Sequence, residues 1–299
     1  MPAARVPTRM DHETQRDRAE ALRGLHAGGS TDGDGPLVLP NAWDAASAIV
    51  FADAGFDAIG TTSAGVAASR GVPDGEVLSR AEMLDVVERV ASTVTVPVSA
   101  DIEAGYGDTP AAVYDTVAAT IDAGAVGVNL EDGTGDPDAP LAPVDDHVAA
   151  IRAARDAAED AGVPIVINGR TDVFWLGVGD AADRLDRAVA RATAYEDAGS
   201  DCLFVPGVSD LDTVGALADR LDAPLNVLGG PGAPSVDALA AAGVARVSVG
   251  SGPMRATLGL VGEIAAELRG EGTYESMAGG VPYDDLKALL EAAAAGREP

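Results

Sequence analysis

Short apolar runs recur along the chain, each followed by a polar turn and then by a longer stretch with apolar residues at helical spacing. The runs are Leu37–Ala42, Ala58–Ser63, Pro97–Glu103, Gly127–Asp132, Pro164–Asp172, Cys202–Gly207, Leu225–Gly229 and Arg246–Ser251. The intervening stretches Ala45–Ala54, Arg80–Ser92, Pro110–Ala123, Val144–Ala161, Ala181–Ala198, Asp210–Arg220, Val236–Ala242 and Pro253–Arg269 are rich in good helix formers. Several of them end in Ala-Gly, as at Ala123-Gly124 and Ala198-Gly199, where a left-handed cap leads into the next strand. Eight strands alternating with eight helices imply parallel pairing through right-handed crossovers. Eight such units close into an α/β fold of the (β/α)8 TIM-barrel type. A doubly wound open sheet would carry a glycine-rich phosphate turn after its first strand. Here that turn reads Pro40-Asn41-Ala42-Trp43-Asp44 and has no glycine. The barrel is favoured.

The barrel is expected to span 35–269. Residues 1–34 form an extension with an amphipathic segment, Thr14–His26, and a linker, Gly28–Gly35. Residues 270–299 form a C-terminal arm with a helix at Asp284–Ala295, too short for a core of its own.

Charge narrows the possible partners. Lys+Arg number 20 against 48 Asp+Glu, a formal net charge of −28, which repels phosphate backbones and anionic lipid. Nucleic acid and membrane surfaces are therefore excluded as expected partners. No long apolar run and no apolar leader segment occur, so a soluble, cytoplasmic protein is expected. The single cysteine, Cys202, leaves no intrachain disulfide and no multi-thiolate zinc site. Acid-rich composition with one lysine (Lys287) and 4% aromatics suits a halophilic source, where salt screens the self-repulsion.

In a barrel of this kind the chemistry lies where strands finish. Alternation along Val98–Glu103 sends Ser99, Asp101 and Glu103 toward the axis; Asn129 and Glu131 follow on the next strand, then Asn168, Arg170 and Asp172. Three acids (Asp101, Glu103, Glu131) would thus converge beside one guanidinium. Such acids repel one another unless a cation is present, and a hard divalent ion such as Mg2+, or Mn2+, held directly or through its waters, resolves this. The alternative is that Arg170 pairs internally with Asp172 or Glu131 and no metal binds.

Other residues read more plainly. Cys202 fits a buried structural thiol, and His12, His26 and His147 fit surface or capping roles. No Gly-x-Ser-x-Gly elbow and no lysine on a barrel strand occur, which removes a serine hydrolase and a Schiff-base aldolase. The turns at 229–232 and 250–252 could cradle a phosphate or simply turn the chain. Trp43 and Trp175 fit packing near the barrel mouth, and the Tyr106 hydroxyl lies beside the acids.

Taken in order, Pro36–Ala48, Thr61–Ala67, Asp101-Ile102-Glu103-Ala104-Gly105-Tyr106-Gly107, Asn129-Leu130-Glu131-Asp132, Asn168-Gly169-Arg170-Thr171-Asp172 and Gly243–Gly250 resemble the isocitrate lyase/phosphoenolpyruvate mutase superfamily over roughly residues 17–270. The resemblance implies a barrel whose eighth helix is swapped onto a neighbouring subunit, dimers paired into homotetramers, Mg2+, and a 2-oxo-acid or enolpyruvate substrate. It implies that Asp101, Glu103 and Glu131 form the metal shell and that Arg170 contacts the substrate carboxylate and oxo group. Thr62, Ser63 and Ala64 fall where that carboxylate binds, with Asn41 and Asn168 as further substrate contacts, and Asp74 is an acid on a mobile loop near the metal. The lyases' cysteine-bearing loop is replaced here by Gly133–Pro140, with neither cysteine nor lysine, and Pro206 stands where they place a glutamate. The nearest likeness is then to the oxaloacetate decarboxylase-like and carboxyphosphonoenolpyruvate-mutase-like branch.

The expected activity is Mg2+-dependent cleavage of a C–C bond in a small 2-oxo acid through a stabilised enolate. Decarboxylation suits a site without a strand-end lysine, histidine or cysteine, because departing CO2 needs no acid. Any proton donor would be a carboxylic acid, Tyr106 or a bound water. The alternatives are a phosphoryl shift between oxygen and carbon of an enolpyruvate, and a barrel that binds an oxo acid without turning it over.

Overall fold

A computed structural model describes residues 10–28 and 35–295. Residues 29–34 of the anticipated linker lie outside the described residues. The chain runs α1 (His12–Leu25), β1 (Leu37–Leu39), β2 (Asn41–Ala42), α2 (Ala45–Asp53), β3 (Ile59–Thr61), α3 (Ser63–Ser69), α4 (Arg80–Ala91), β4 (Val98–Asp101) and α5 (Pro110–Asp122). It continues β5 (Gly127–Glu131), α6 (Val144–Ala161), β6 (Val166–Arg170), α7 (Arg184–Asp197), β7 (Cys202–Phe204), α8 (Leu211–Ala218), β8 (Leu225–Leu228), α9 (Val236–Ala241), β9 (Arg246–Ser248), α10 (Gly252–Gly270) and α11 (Tyr283–Ala295).

All strand pairs are parallel, in the order β1-β9-β8-β7-β6-β5-β4-β3-β2. The first apolar run supplies both ends of that order. Pro40 has no N–H to give the ladder, so it splits the run into β1, paired with β9, and β2, paired with β3. Its carbonyl still accepts from Gly60 N–H at 2.9 Å. The two halves act as one stave, and the eight staves close a (β/α)8 TIM barrel.

Asn41 sews the seam. Its Nδ2 donates to Thr61 O at 2.7 Å, while Oδ1 accepts from the backbone N–H groups of Val249 and Gly250, both at 2.9 Å. Gly60 makes room for that amide, because a Cβ there would stand 2.6 Å from Asn41 Nδ2.

Alternation sorts the side chains. Ala100, Ile102, Val128 and Leu130 are wholly buried against the helical layer. Each Ile or Leu so buried stabilises the fold by roughly 1.5–3 kcal/mol. Side-chain caps set the helix starts: Asp44 and Ser79 each form a capping box, and Thr109 caps α5 ahead of Pro110. Helix α1 buries Ala19 and Leu22, and Gln15 Nε2 donates to Ile121 O at 2.7 Å and Ala125 O at 3.1 Å. The extension is thereby tied to the chain leading into β5.

Two features depart from the sequence pattern. The segment Ser63–Ser69 after β3 forms a helix, α3, which begins on the last residue of the expected strand run Ala58–Ser63 and was not anticipated. Helix α10 buries only Met254 and leaves Leu258, Leu260, Val261 and Leu268 exposed.

Candidate active site

A cavity of about 120 Å3 opens where the strands finish, with Asp74, Asp101, Arg170, Trp175, Phe204 and Arg246 among its walls. Thr62, Ser63, Ala64 and Asn41 also line it. Seven of the expected residues therefore gather at one mouth, whereas Glu103, Glu131, Tyr106 and Asn168 do not line it.

Asp101 ends β4 and is tightly placed. Its Oδ2 accepts from Ser63 N–H at 2.8 Å and its Oδ1 from Asn129 Nδ2 at 2.9 Å. The start of α3, where Thr62 Oγ1 accepts from Gly65 N–H, thus faces a carboxylate of the chain itself. Asn168 lies below, wholly buried, donating to Asn129 Oδ1 at 3.0 Å and not lining the cavity. Asn41 lines it, but its amide is committed to the seam.

Arg170 is held from both sides. Its NH1 pairs with Glu131 Oε2 at 2.6 Å, and its Nε and NH2 donate to Asp172 at 2.6 and 3.0 Å. Its carbon centre sits 5.6 Å above the Phe204 ring. Burial works against its charge, but Glu131 and Asp172 outweigh it and hold its pKa above the ordinary value. Burial pushes the Glu131 carboxyl well up, against the pull of Arg170 and with the charges of Asp172, Asp101 and Glu103 adding to the rise. Asp172 is fixed in turn by Asp132, which is wholly buried and accepts from Asp172 N–H, Thr171 Oγ1, Arg191 NH1 and Tyr195 OH at 2.7–2.9 Å.

Glu103 does not follow the alternation. Strand β4 stops at Asp101, and Glu103 takes a left-handed φ of 52°, which turns its carboxylate out of the ladder. Its Oε2 accepts from the N–H groups of Gly75 (3.0 Å) and Glu76 (2.5 Å), and its Oε1 accepts from Tyr106 OH at 2.7 Å. Glu103 and Tyr106 are therefore tied to the loop that carries Asp74 and stand outside the cavity wall. Burial and then the charge of Asp101 push Asp74 up.

Whether a divalent ion suits this site turns on its donors. Among the described residues no three His, Cys, Asp or Glu side chains are grouped to cage one. Asp74 and Asp101 do put hard carboxylate oxygens on the cavity wall. Few carboxylates around open space fit an ion that keeps several waters, which is the habit of Mg2+.

A sequence profile of the phosphoenolpyruvate phosphomutase family matches residues 22–269. The chain belongs to that family. It is 31% identical to 2-methylisocitrate lyase of Escherichia coli over 82% of this chain and 83% of the relative. It is also 31% identical to an oxaloacetate decarboxylase of Bradyrhizobium, with 93% of each covered. The structure of a phosphonopyruvate hydrolase in complex with oxalate and Mg2+ superposes with a TM-score of 0.79 at 27% identity, over 94% of this chain and 96% of the other.

Cys202 is buried, and burial pushes its thiol up to about 12, as suits a structural thiol. His26 and His147 differ from the surface placement the sequence suggested, being 6% and 4% exposed. His26 does cap α1, with Nδ1 donating to Leu22 O. Sequence reasoning passed over Arg246, whose signal was a charged residue at an inward position of a barrel strand.

Proposed function

We propose that this chain is a carbon–carbon lyase that uses Mg2+ (or Mn2+) to cleave a small 2-oxo acid of the oxaloacetate type. The observation that carries it is one small cavity walled by the carboxylates of Asp74 and Asp101 and by the guanidinium of Arg170. That pairing of charges suits an anionic, oxygen-rich substrate bound together with a cation. One relative, an oxaloacetate decarboxylase, is named for a 2-oxo acid of this class, and another, 2-methylisocitrate lyase, for cleavage of a related hydroxy polycarboxylate. Asp101 and Asp74 would hold the ion, with Glu131 and Glu103 adding negative charge behind them. When bound, the ion supplies positive charge that polarises keto and carboxylate oxygens.

The chain's own groups do the rest. Arg170, locked by Glu131 and Asp172, presents a fixed positive charge where negative charge grows on the substrate oxygen as the C–C bond breaks. The bonding pair moves toward the carbonyl and forms an enolate, CO2 departs, and a proton is then taken up at carbon. Among the described residues, the walls carry no lysine, histidine or cysteine that would favour an imine or thiolate route.

The test is turnover of oxaloacetate with MgCl2 by the wild type and by Asp101→Asn and Glu131→Gln. Loss of at least a hundredfold in kcat/KM by both variants, with unchanged circular dichroism, supports the assignment. Full activity in both overturns it. Conversion of phosphonopyruvate, followed by phosphorus NMR, would move it to a phosphoryl shift.

A further inference from the structure

The cavity holds a second guanidinium that the lyase reading leaves unused. Arg246 opens β9, and its side chain lies inside the barrel with that of Ser248. It is 3% exposed. Its Nε donates to Ser248 Oγ at 3.1 Å, and its NH1 has no partner. Arg170 is ion-paired with two acids, whereas Arg246 pairs with no carboxylate among the described residues.

The neighbours cannot supply the missing charge. Ser248 Oγ is a neutral acceptor already shared with Asn226 Nδ2 at 3.1 Å. The Cys202 thiol, pushed up to about 12, stays neutral. The field of Asp101 reaches Arg246 from a distance, but no ion pair joins the two, and the Asp101 carboxylate is the one assigned above to the cation. Burial presses the Arg246 pKa down, yet a guanidinium keeps its proton in proteins. A buried, unpaired cation costs several kcal/mol, so this arrangement is fitted to an anion that arrives from the cavity.

We propose that Arg246 anchors a second anionic group of the substrate, the distal carboxylate of a 2-oxo dicarboxylate, and so selects diacids over monoacids. This rests on the oxo-acid reading above, and it adds to Arg170 a second guanidinium subsite in the same cavity. The cavity, at about 120 Å3, is far below the 300–1,000 Å3 of pockets for drug-sized ligands, so it suits a metabolite of a few carbons. Guanidinium and carboxylate match as a planar, two-pronged pair, which a methyl terminus cannot replace.

The test is direct calorimetric titration in MgCl2 buffer with two probes, 3,3-difluorooxaloacetate and 2-oxobutyrate, which differ in the distal carboxylate. Wild type, Arg246→Met and Arg246→Lys are compared, with circular dichroism melts as a folding control. The expected result is a ten- to hundredfold weaker Kd for the diacid in Arg246→Met, partial recovery in Arg246→Lys, and monoacid Kd values within about twofold throughout. Equal weakening of both probes makes Arg246 a structural residue and overturns the proposal. Wild type that binds the two acids equally overturns it as well, while leaving the oxo-acid reading intact. Binding of neither acid brings down the oxo-acid reading itself.

Discussion

Glu103 accepts the Tyr106 hydroxyl at 2.7 Å while both residues hold left-handed backbones, with φ of 52° and 58°. The only other non-glycine residue with positive φ among those described is Glu76, at 56°, and it joins the same cluster. Glu76 N–H donates to Glu103, and Glu76 Oε1 accepts from Tyr106 N–H at 2.8 Å. Each such backbone costs about 1–3 kcal/mol, so the clasp joins strained residues of the loop after β4 to Glu76 in the loop that presents Asp74.

The clasp should matter to activity through Asp74. Glu103→Gln keeps the size but replaces charge-assisted bonds worth about 1.5–3 kcal/mol. A ten- to hundredfold fall in kcat/KM is expected, with faster hydrogen exchange at residues 75 and 76. Tyr106→Phe, which removes one bond of the set, should fall between this variant and wild type. Unchanged exchange in Glu103→Gln would show that the loop is held some other way.

How far this site was legible follows from where the strand pattern ends. Inward parity placed Asp101, Asn129 and Arg170 correctly because each lies within a regular ladder. It failed for Glu103, since parity has no meaning once the backbone leaves the strand, and a left-handed glutamate leaves no mark in composition. Helix α3 was hidden because its small residues carry no helical stripe. The charge of Arg246 was visible, but nothing in one sequence tells whether a counter-ion waits across the barrel.

Acid should weaken the fold through its buried imidazoles. His147 packs its ring 4.5 Å from that of Tyr195, and burial foremost pushes its pKa down to about 4; its Nε2 has no partner. The unfolded chain, with an ordinary value near 6.5, takes up the proton first as pH falls. Stability from this group is therefore complete above about pH 6.5 and is lost between there and about pH 4. The loss is about 2 kcal/mol at pH 5. Urea unfolding of wild type and His147→Leu at pH 7.5 and 5.0 isolates the effect. The variant should lose correspondingly less stability over that interval, and parallel losses would contradict it.

Salt should act in the opposite direction. With a net charge of −28, acids outnumber bases across the surface and repel one another. Molar KCl shortens the screening length to about 3 Å and removes most of that repulsion. A Tm that climbs steadily from dilute buffer to 2 M KCl is expected. A flat curve would argue against the halophilic source that the composition suggests.

Helix α10 presents the last question, because a barrel's outer helix ordinarily buries an apolar stripe against its strands. Here Leu258 (54% exposed), Leu260 (46%), Val261 (57%) and Leu268 (44%) stand exposed, and Met254 alone is buried. Four such side chains on one helix are costly in water, and several kcal/mol become available if a second copy covers them. The resemblance to the superfamily implies that the eighth helix packs on a neighbouring subunit, and that arrangement would cover these side chains. Light scattering should then report a mass at least twice that of one chain, and Leu258→Glu with Val261→Asp should return it to monomer while the circular dichroism of the barrel persists. A wild-type chain that is monomeric at high micromolar concentration would leave the stripe without a partner copy.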